Sequence, residues 1–308
     1  MTALSNSPPS TGNPATVMRG LTADAQALAA RLPALRLEAK RIAQTVAFGV
    51  HGRRRAGPGD SFWQFRQYET SDSHTLIDWR RSANSNRLFV RQKEWEAAHT
   101  VWLWADLTPS MDFASHLSTT SKRDRALVLL FAAADLLVQG GERVGLVGLT
   151  PPTAARNTTE RMAEALIADA QHSGSAAHRL AGAKLSRQAD CILIGDFLDP
   201  VEGQAEQFNQ LAAQGVRGHL LQVLDPAEET LAYSGRVEFS DPEGSGKWLA
   251  PRAEQLVERY KGRLAQHRAA LDSVLGKLQW SRLLHHTDRP AGEALLALHA
   301  RLSGEAMR

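Results

Sequence analysis

The feature that most constrains the fold is a regular alternation of short apolar runs and longer amphipathic stretches, from about residue 98 to about residue 302. The apolar runs predict strands at residues 98–105, 143–149, 191–195, 216–224 and 278–284. The stretches between and after them predict helices at residues 122–139, 158–170, 202–214, 253–276 and 291–302. Strands separated by helices of this length form βαβ units, which favour a mostly parallel sheet with helices on both faces. Because such crossovers are right-handed, the pattern predicts an α/β, doubly wound, Rossmann-like fold.

The residues before this alternation carry weaker patterns. Residues 1–20 are rich in Ser, Pro, Thr and Asn and predict a disordered lead. Residues 21–48 repeat apolar side chains at helical spacing and predict a helix. Three further expectations are a loop at residues 52–59, irregular structure docked on a core at residues 62–79, and a strand at residues 87–94 that pairs antiparallel with residues 98–105. We therefore expect an N-terminal segment at residues 21–97 and an α/β domain at residues 98–308.

Composition narrows the class of protein. The formal net charge is only +3 over 308 residues, and the single cysteine, Cys191, cannot form an internal disulfide. A lone cysteine favours a reducing compartment. The longest apolar run, residues 126–138, is interrupted by Asp135 and is shorter than the roughly 20 residues that cross a bilayer. We expect a cytoplasmic protein without a membrane span.

Side chains with oxygen atoms follow two of the predicted strands. Asp106, Thr108 and Ser110 come directly after residues 98–105, and Asp196 follows residues 191–195. Doubly wound sheets bind ligands beyond the carboxyl ends of their strands, and hard oxygen donors suit Mg²⁺. These four residues are therefore candidate metal ligands. In the alternative interpretation, Asp106 and Thr108 only cap the following turn and Asp196 caps a helix.

The spacing Asp106-x-Thr108-x-Ser110 resembles the Asp-x-Ser-x-Ser signature of the metal-ion-dependent adhesion site of von Willebrand factor A domains. The first hydroxyl here is that of Thr rather than Ser, which keeps the oxygen atom. That site also uses a separate threonine, for which Thr153 and Thr158 are the candidates. The resemblance implies a bound metal ion whose coordination is completed by an Asp or Glu of a partner protein.

The upstream block resembles a bacterial family, domain of unknown function 58, in which such a block precedes a von Willebrand A-like sheet. The matching residues are Gly57, Gly59, Arg66, Tyr68, Asp72, Ile77, Asp78, Trp79, Ser82, Ala83, Leu88, Val90, Arg91 and Glu94. The chain departs from the usual family pattern at Ser71, Thr75 and Asn84. The resemblance covers about residues 52–303. It implies a non-enzymatic adaptor that works with a MoxR-type AAA+ ATPase in assembling or activating other complexes.

Two other functions fit parts of the sequence. Asp-dependent phosphatases also place an Asp at a strand end, but they need a second carboxylate two residues later, where this chain has Thr108.

Between His51 and Lys93 the chain has nine basic residues and four acidic ones. The basic residues include Arg53, Arg54 and Arg55 in the predicted loop. This Arg-rich segment could bind nucleic acid or an acidic protein. The sequence contains neither a Walker A motif nor a Gly-x-Gly-x-x-Gly loop.

Overall fold

The computed structural model describes residues 14–51, 62–69, 74, 77–83, 85, 87–93, 99–172, 180, 182–242, 244 and 246–302. Two compact units make up the chain: residues 48–99, and residues 1–47 together with residues 100–308. The first helix, α1 (Pro14–His51), confirms the helix predicted at residues 21–48. α1 begins at Pro14, within residues 1–20, which the sequence predicted to be disordered.

Most of α1 belongs to the larger unit, whereas the sequence predicted residues 21–97 as one segment. The physical reason is its apolar face, because Leu32, Ala39 and Ala43 are almost completely buried. Arg31 of α1 also forms an ion pair with Asp124 of the larger unit. Apolar burial on this scale ties a helix to the unit whose core it completes.

The smaller unit contains an antiparallel pair of strands, β1 (Phe62–Gln67) and β2 (Phe89–Lys93). A short helix, α2 (Trp79–Ser82), lies between them in sequence, and the carboxylate of Asp78 caps it by accepting the Arg81 N–H at 2.9 Å. The hydroxyl of Ser82 accepts the Phe89 N–H at 2.9 Å. This bond links α2 to the start of β2.

The strand predicted at residues 87–94 is thus confirmed, but its predicted partner is wrong. Residues 100–105 instead pair in parallel with residues 143–146 and 190–194, and β1 is the antiparallel neighbour of β2. The irregular structure expected at residues 62–79 is likewise wrong for β1, whose aromatic residues suit a strand even without strict alternation. The loop predicted at residues 52–59 lies outside the described residues.

The larger unit is built on a six-stranded sheet and a small two-stranded one. Its strands are β3 (Thr100–Ala105), β4 (Arg143–Leu146), β5 (Thr150–Thr153), β6 (Asp190–Gly195), β7 (Arg217–Leu224), β8 (Val237–Ser240), β9 (Lys247–Ala250) and β10 (Ser281–His286). Its further helices are α3 (Lys122–Gln139), α4 (Thr158–His172), α5 (Val201–Ala213), α6 (Pro226–Thr230), α7 (Val257–Leu278) and α8 (Ala291–Leu302). The predicted strands and helices of this unit are confirmed, with ends that differ by a few residues.

The strand order of the large sheet is β10-β7-β6-β3-β4-β5, and all neighbours are parallel except β4 and β5. The chain therefore builds one half of the sheet outward from β3 and then returns to build the other half from β6. This confirms the doubly wound α/β fold and places its topological switch point between β3 and β6. The strand β5 was missed because it contains Pro151 and Pro152, which a strand tolerates at a sheet edge.

The core of the larger unit lies around β3, β6 and α3. Every residue of β6 is buried, and Cys191 in it behaves as a small apolar side chain. In α3 the run from Ala126 to Ala134 is buried throughout. A helix that is apolar on all sides must be enclosed by protein, and α3 indeed contacts β3, α4 and α8. This helix begins beside the carboxyl ends of β3 and β6.

The strands β8 and β9 form a hairpin inserted between α6 and α7. β8 lies within the polar, Gly-rich stretch at residues 227–246, and β9 directly follows that stretch. The sequence predicted no strand at either place. Most residues of the hairpin are at least partly exposed. Among the described residues, no helix has the length and apolar character that crossing a membrane requires.

Candidate functional site

The switch point brings Asp106 and Asp196 to the same edge of the sheet. Asp106 directly follows β3 and Asp196 directly follows β6, and the Asp106 N–H donates to the Ile194 carbonyl at 2.8 Å. A Cβ atom added to Gly195 would lie 3.0 Å from the Asp106 Cβ. The two strand ends therefore approach so closely that only glycine fits at position 195 without displacement.

The turn after β3 gathers the three oxygen-bearing side chains that the sequence singled out. The Oδ1 atom of Asp106 accepts the Thr108 N–H at 2.9 Å. The hydroxyl oxygens of Thr108 and Ser110 are 2.9 Å apart and share a hydrogen bond. A single turn of 3₁₀-helix at Pro109–Asp112 fixes this spacing. Asp106 therefore caps the turn, as the alternative interpretation predicts, and its role as a metal ligand stays a prediction.

The pKa of Asp106 is raised to about 6, because burial, together with the smaller effect of the Asp196 and Asp199 charges, outweighs the lowering by hydrogen bonds from Thr108. Within the part of the chain that the structure describes, Asp106 forms no ion pair. A cation at this position would therefore meet a largely buried carboxyl group that no described residue neutralises through an ion pair. The electrostatics favour a cation beside Asp106.

Asp196 is in a different situation, because it already has a cation. The ammonium of Lys122, at the first residue of α3, donates to Asp196 Oδ2 at 2.8 Å and to Glu228 Oε1 at 2.5 Å. The Lys122 side chain is only 1% exposed. Burial alone would lower the pKa of Lys122, but the charges of Asp196 and Glu228 outweigh it and raise that pKa. The lysine is a permanent positive charge inside the site.

The backbone around Asp196 is held in an uncommon conformation. Phe197 has a positive φ of 51°, which a non-glycine residue rarely adopts. Its carbonyl lies 2.7 Å from His267 Nε2, and the Asp196 carbonyl accepts the Gln222 side-chain amide at 2.8 Å. The Leu198 N–H, in turn, donates to Asp196 Oδ1 at 3.2 Å. Both carboxylate oxygens of Asp196 are thus engaged by the protein.

A second carboxylate fixes the loop that follows the site. Asp225, at the end of β7, accepts the Ser115 N–H at 2.9 Å and the Ser115 hydroxyl at 2.5 Å. It also caps α6 in a capping box with Glu228. Lys122, Asp225 and Glu228 were all missed by sequence reasoning. A capping-box spacing of Asp225 and Glu228 was the one signal that could have pointed to them.

The donor set fits Mg²⁺ through Asp106, Thr108 and Ser110. One carboxylate and two hydroxyls are hard oxygen ligands of the kind that Mg²⁺ takes together with water. No group of three or more His, Cys, Asp or Glu side chains that could hold a metal occurs among the residues described, so an ion here must rely on the hydroxyls. Asp196 remains a predicted ligand, but Lys122 competes with a metal for its Oδ2 atom.

The two candidate threonines lie elsewhere on the sheet. Thr153 ends the edge strand β5, and its hydroxyl accepts the Ala155 N–H at 3.2 Å. Thr158 starts α4, and its hydroxyl donates to the Ala155 carbonyl at 2.5 Å. Both hydroxyls thus serve their own loop, and no hydrogen bond among the described residues joins either of them to the Asp106 turn.

A cavity of about 970 Å³ opens beside these residues. Ser110, Lys122 and Asp196 lie in its lining on the sheet side. Residues of the β8–β9 hairpin and of α7 also line it. This size is at the upper end of the range for pockets that bind small molecules. The candidate metal site therefore adjoins a large pocket.

The doubly wound sheet defines the class of this molecule: an α/β protein with a candidate ligand site beyond the ends of its central strands, where this fold class binds ligands. Residues 64–270 match the family described as "Protein of unknown function DUF58". The chain belongs to this family, as the residues of the upstream block indicated. The matched range includes most of the candidate site, from Asp106 to Arg263 of the pocket.

Two similar proteins of known sequence are themselves named as uncharacterized. "Uncharacterized protein Rv1480" of Mycobacterium tuberculosis and "Uncharacterized protein Mb1516" of Mycobacterium bovis are each 28% identical over 250 residues, which cover 76% of this chain and 77% of theirs.

Two solved structures are distant relatives in shape. One is the conserved hypothetical protein BatB from Bacteroides thetaiotaomicron, with 12% identity and a TM-score of 0.37. The other is an aerotolerance-related membrane protein from Bacteroides fragilis, with 14% identity and a TM-score of 0.41. In both comparisons the aligned region covers the whole of the solved chain and 67% of this chain. With scores this low, the fold assignment rests on the chain's own strand order.

Proposed function

We propose that this protein is a non-enzymatic interaction protein that binds a carboxylate of a partner through a Mg²⁺ ion. The observation that carries the proposal is the state of Asp106, a largely buried carboxyl group that has no ion pair with a described residue and lies in the same turn as two adjacent hydroxyls. Its position at the switch point is where this fold class binds ligands.

In this proposal Asp106 anchors the ion, and Thr108 and Ser110 contribute their hydroxyl oxygens. A bound Mg²⁺ would supply a coordination position for an oxygen of the partner's Asp or Glu. Asp196 contributes negative charge and orients water rather than binding the ion directly, because its two oxygens accept from Lys122 and Leu198. Lys122 keeps Asp196 in place and prevents the site from carrying too many negative charges for one divalent ion.

An Asp-dependent phosphatase is the weaker alternative. The lysine beside a strand-end carboxylate would suit phosphate chemistry, but both acceptors of Lys122 that the structure describes are carboxylates. The position two residues after Asp106 carries a hydroxyl, Thr108, which cannot act as a general acid. We therefore propose that the protein catalyses no hydrolysis.

The partner we propose is a MoxR-type AAA+ ATPase in the cytoplasm, with the protein serving as its adaptor toward other complexes. This part rests on the family resemblance. Pull-down of the full chain with such an ATPase, with and without a chelator, tests it. Loss of the complex on chelation supports a metal-bridged contact, whereas a complex insensitive to chelator contradicts it.

Titration calorimetry with Mg²⁺ and Mn²⁺ tests the metal site directly. We expect binding to the unmodified protein and loss of binding in Asp106→Asn. Asp112→Asn is the matched control, because Asp112 lies in the same turn, is half-exposed and pairs with Arg123 instead. Equal binding by Asp106→Asn and the unmodified protein would contradict the proposal, and so would equal loss in both variants.

A further inference from the structure

Part of the pocket lining forms an aromatic wall, made of Tyr233, Phe239 and Trp248. The rings of Phe239 and Trp248 stack with their centroids 5.8 Å apart, and Tyr233 meets Phe239 edge-on at 6.0 Å. Trp248 is nevertheless 54% exposed, and Phe113, which also lines the pocket, is 37% exposed. Large aromatic side chains held in place yet open to solvent are typical of surfaces that bind a partner.

Two arginines stand beside this wall. Arg259 and Arg263 are one turn apart on α7, both are exposed, and both line the pocket. Neither forms an ion pair with any residue that the structure describes. Arginine side chains in such a pair can each receive a carboxylate in bidentate fashion.

The acids of the pocket lining are, in contrast, already engaged. Lys122 neutralises Asp196 and Glu228, and Lys247 pairs with Glu238 at 2.9 Å. The other lining acids are Asp112, which pairs with Arg123, and Asp199 and Asp241, which also have partners in the protein. Among the described residues of the lining, the charged side chains without an ion pair or another known interaction are therefore the two arginines on α7.

We propose that this pocket binds an acidic segment of a partner protein, in which carboxylates flank a large apolar residue. The apolar residue packs on Trp248, and the carboxylates pair with Arg259 and Arg263. A volume of about 970 Å³ holds several residues of extended chain. The inference deepens the proposed function and rests on it in one respect: the same segment would extend toward Ser110 and the metal site.

Selection of a random peptide library displayed on phage against the full-length protein tests the inference. Enriched peptides are then synthesised with a fluorophore, and their affinities are measured by fluorescence polarisation. The test variants are Trp248→Ala and the double variant Arg259→Glu with Arg263→Glu. Their matched controls are Leu249→Ala and Lys261→Glu, since both residues are exposed neighbours that do not line the pocket.

We expect enriched peptides to carry Asp or Glu beside an aromatic or large aliphatic residue. Their affinity should fall about tenfold or more in Trp248→Ala and in the double variant, because both remove central contacts. The two control variants should bind as the unmodified protein does. The inference is overturned if the enriched peptides are basic or lack acids, or if the double variant binds them with unchanged affinity.

The same peptides separate this inference from the metal proposal. Peptides that need Trp248 and the arginines but bind equally with chelator and in Asp106→Asn support the pocket and contradict the metal bridge. Peptides that need Mg²⁺ and Asp106 but ignore the arginine substitutions support the metal bridge and overturn the pocket. Loss in both tests supports one continuous binding surface.

Discussion

Lys122 and Asp196 form a buried ion pair, with the ammonium nitrogen 2.8 Å from Oδ2, although 74 residues separate them in the chain. The pair joins the first turn of α3 to the end of β6 and, through Glu228, to α6. A charged pair of this kind has a large desolvation cost and is stable only while every partner is present. The positions of Asp196 and Glu228 in the site therefore depend on the side chain of Lys122.

Replacement of Lys122 by Met should strongly destabilise the protein. The change leaves Asp196 and Glu228 without their cation, and breaking a buried pair in this way costs about 3–5 kcal/mol. Urea denaturation measures the free energy of unfolding. The control is Lys247→Met, whose pair with Glu238 is exposed on both sides and should cost about 1 kcal/mol or less. Equal costs for the two variants would contradict the buried role of Lys122.

Asp106 should lower the stability of the metal-free protein as the pH rises. Its pKa is about 6 in the fold against 3.8 in its ordinary state, so the folded protein binds the proton more tightly. The stabilisation is complete below about pH 4 and is lost as the pH rises through about 6. In Asp106→Asn this loss is absent, so the variant should gain on the order of 1–3 kcal/mol over the unmodified protein at neutral pH. Denaturation with chelator at both ends of this range checks it, and a pH-independent difference would contradict it.

Metal binding should show the opposite dependence on pH. Mg²⁺ needs the deprotonated carboxylate of Asp106, so its apparent affinity should fall as the pH drops through about 6. Calorimetric titrations across that range measure the change. An affinity that stays constant between acidic and neutral pH would indicate that the ion binds elsewhere.

His285 should contribute to unfolding in acid. Burial and the nearby Arg125 charge lower its pKa to about 4 from 6.5, so its contribution to stability is complete above about pH 6.5 and is lost as the pH falls toward 4. His285→Leu removes this titration and should make the free energy of unfolding less dependent on pH in that window. The exposed His116 provides the control His116→Leu, which should retain the dependence of the unmodified protein.

Gly195→Ala should disturb the site more than the fold. The new methyl group would lie 3.0 Å from the Asp106 Cβ, so the two strand ends would have to separate. We expect weaker metal binding together with a moderate loss of stability, measured by calorimetry and denaturation. Gly203→Ala is the control, because its Cβ meets nothing within 4 Å on α5, and alanine there should be neutral or stabilising by up to about 1 kcal/mol.

The fold of the larger unit could be predicted because the period of its apolar residues changes cleanly between strands and helices. The turn of Asp106, Thr108 and Ser110 could be predicted because those residues are local to one strand end. Lys122 could not, since a lysine at the start of a helix is usually exposed and its two acceptors are 74 and 106 residues away. The pairing of β1 with β2 was missed because β1 lacks a clear period, so no local pattern revealed a strand there.

The β8–β9 hairpin is an insertion in the connection between β7 and α7, and most of its residues lie outside the core. Substitutions in it can therefore change the aromatic wall of the pocket without a cost to the sheet that carries Asp106. The aromatic lining of the pocket and the central sheet are in this way encoded by separate stretches of the chain. Under the proposed function, substitutions in one short insertion would change the partner while the central strands stay unchanged.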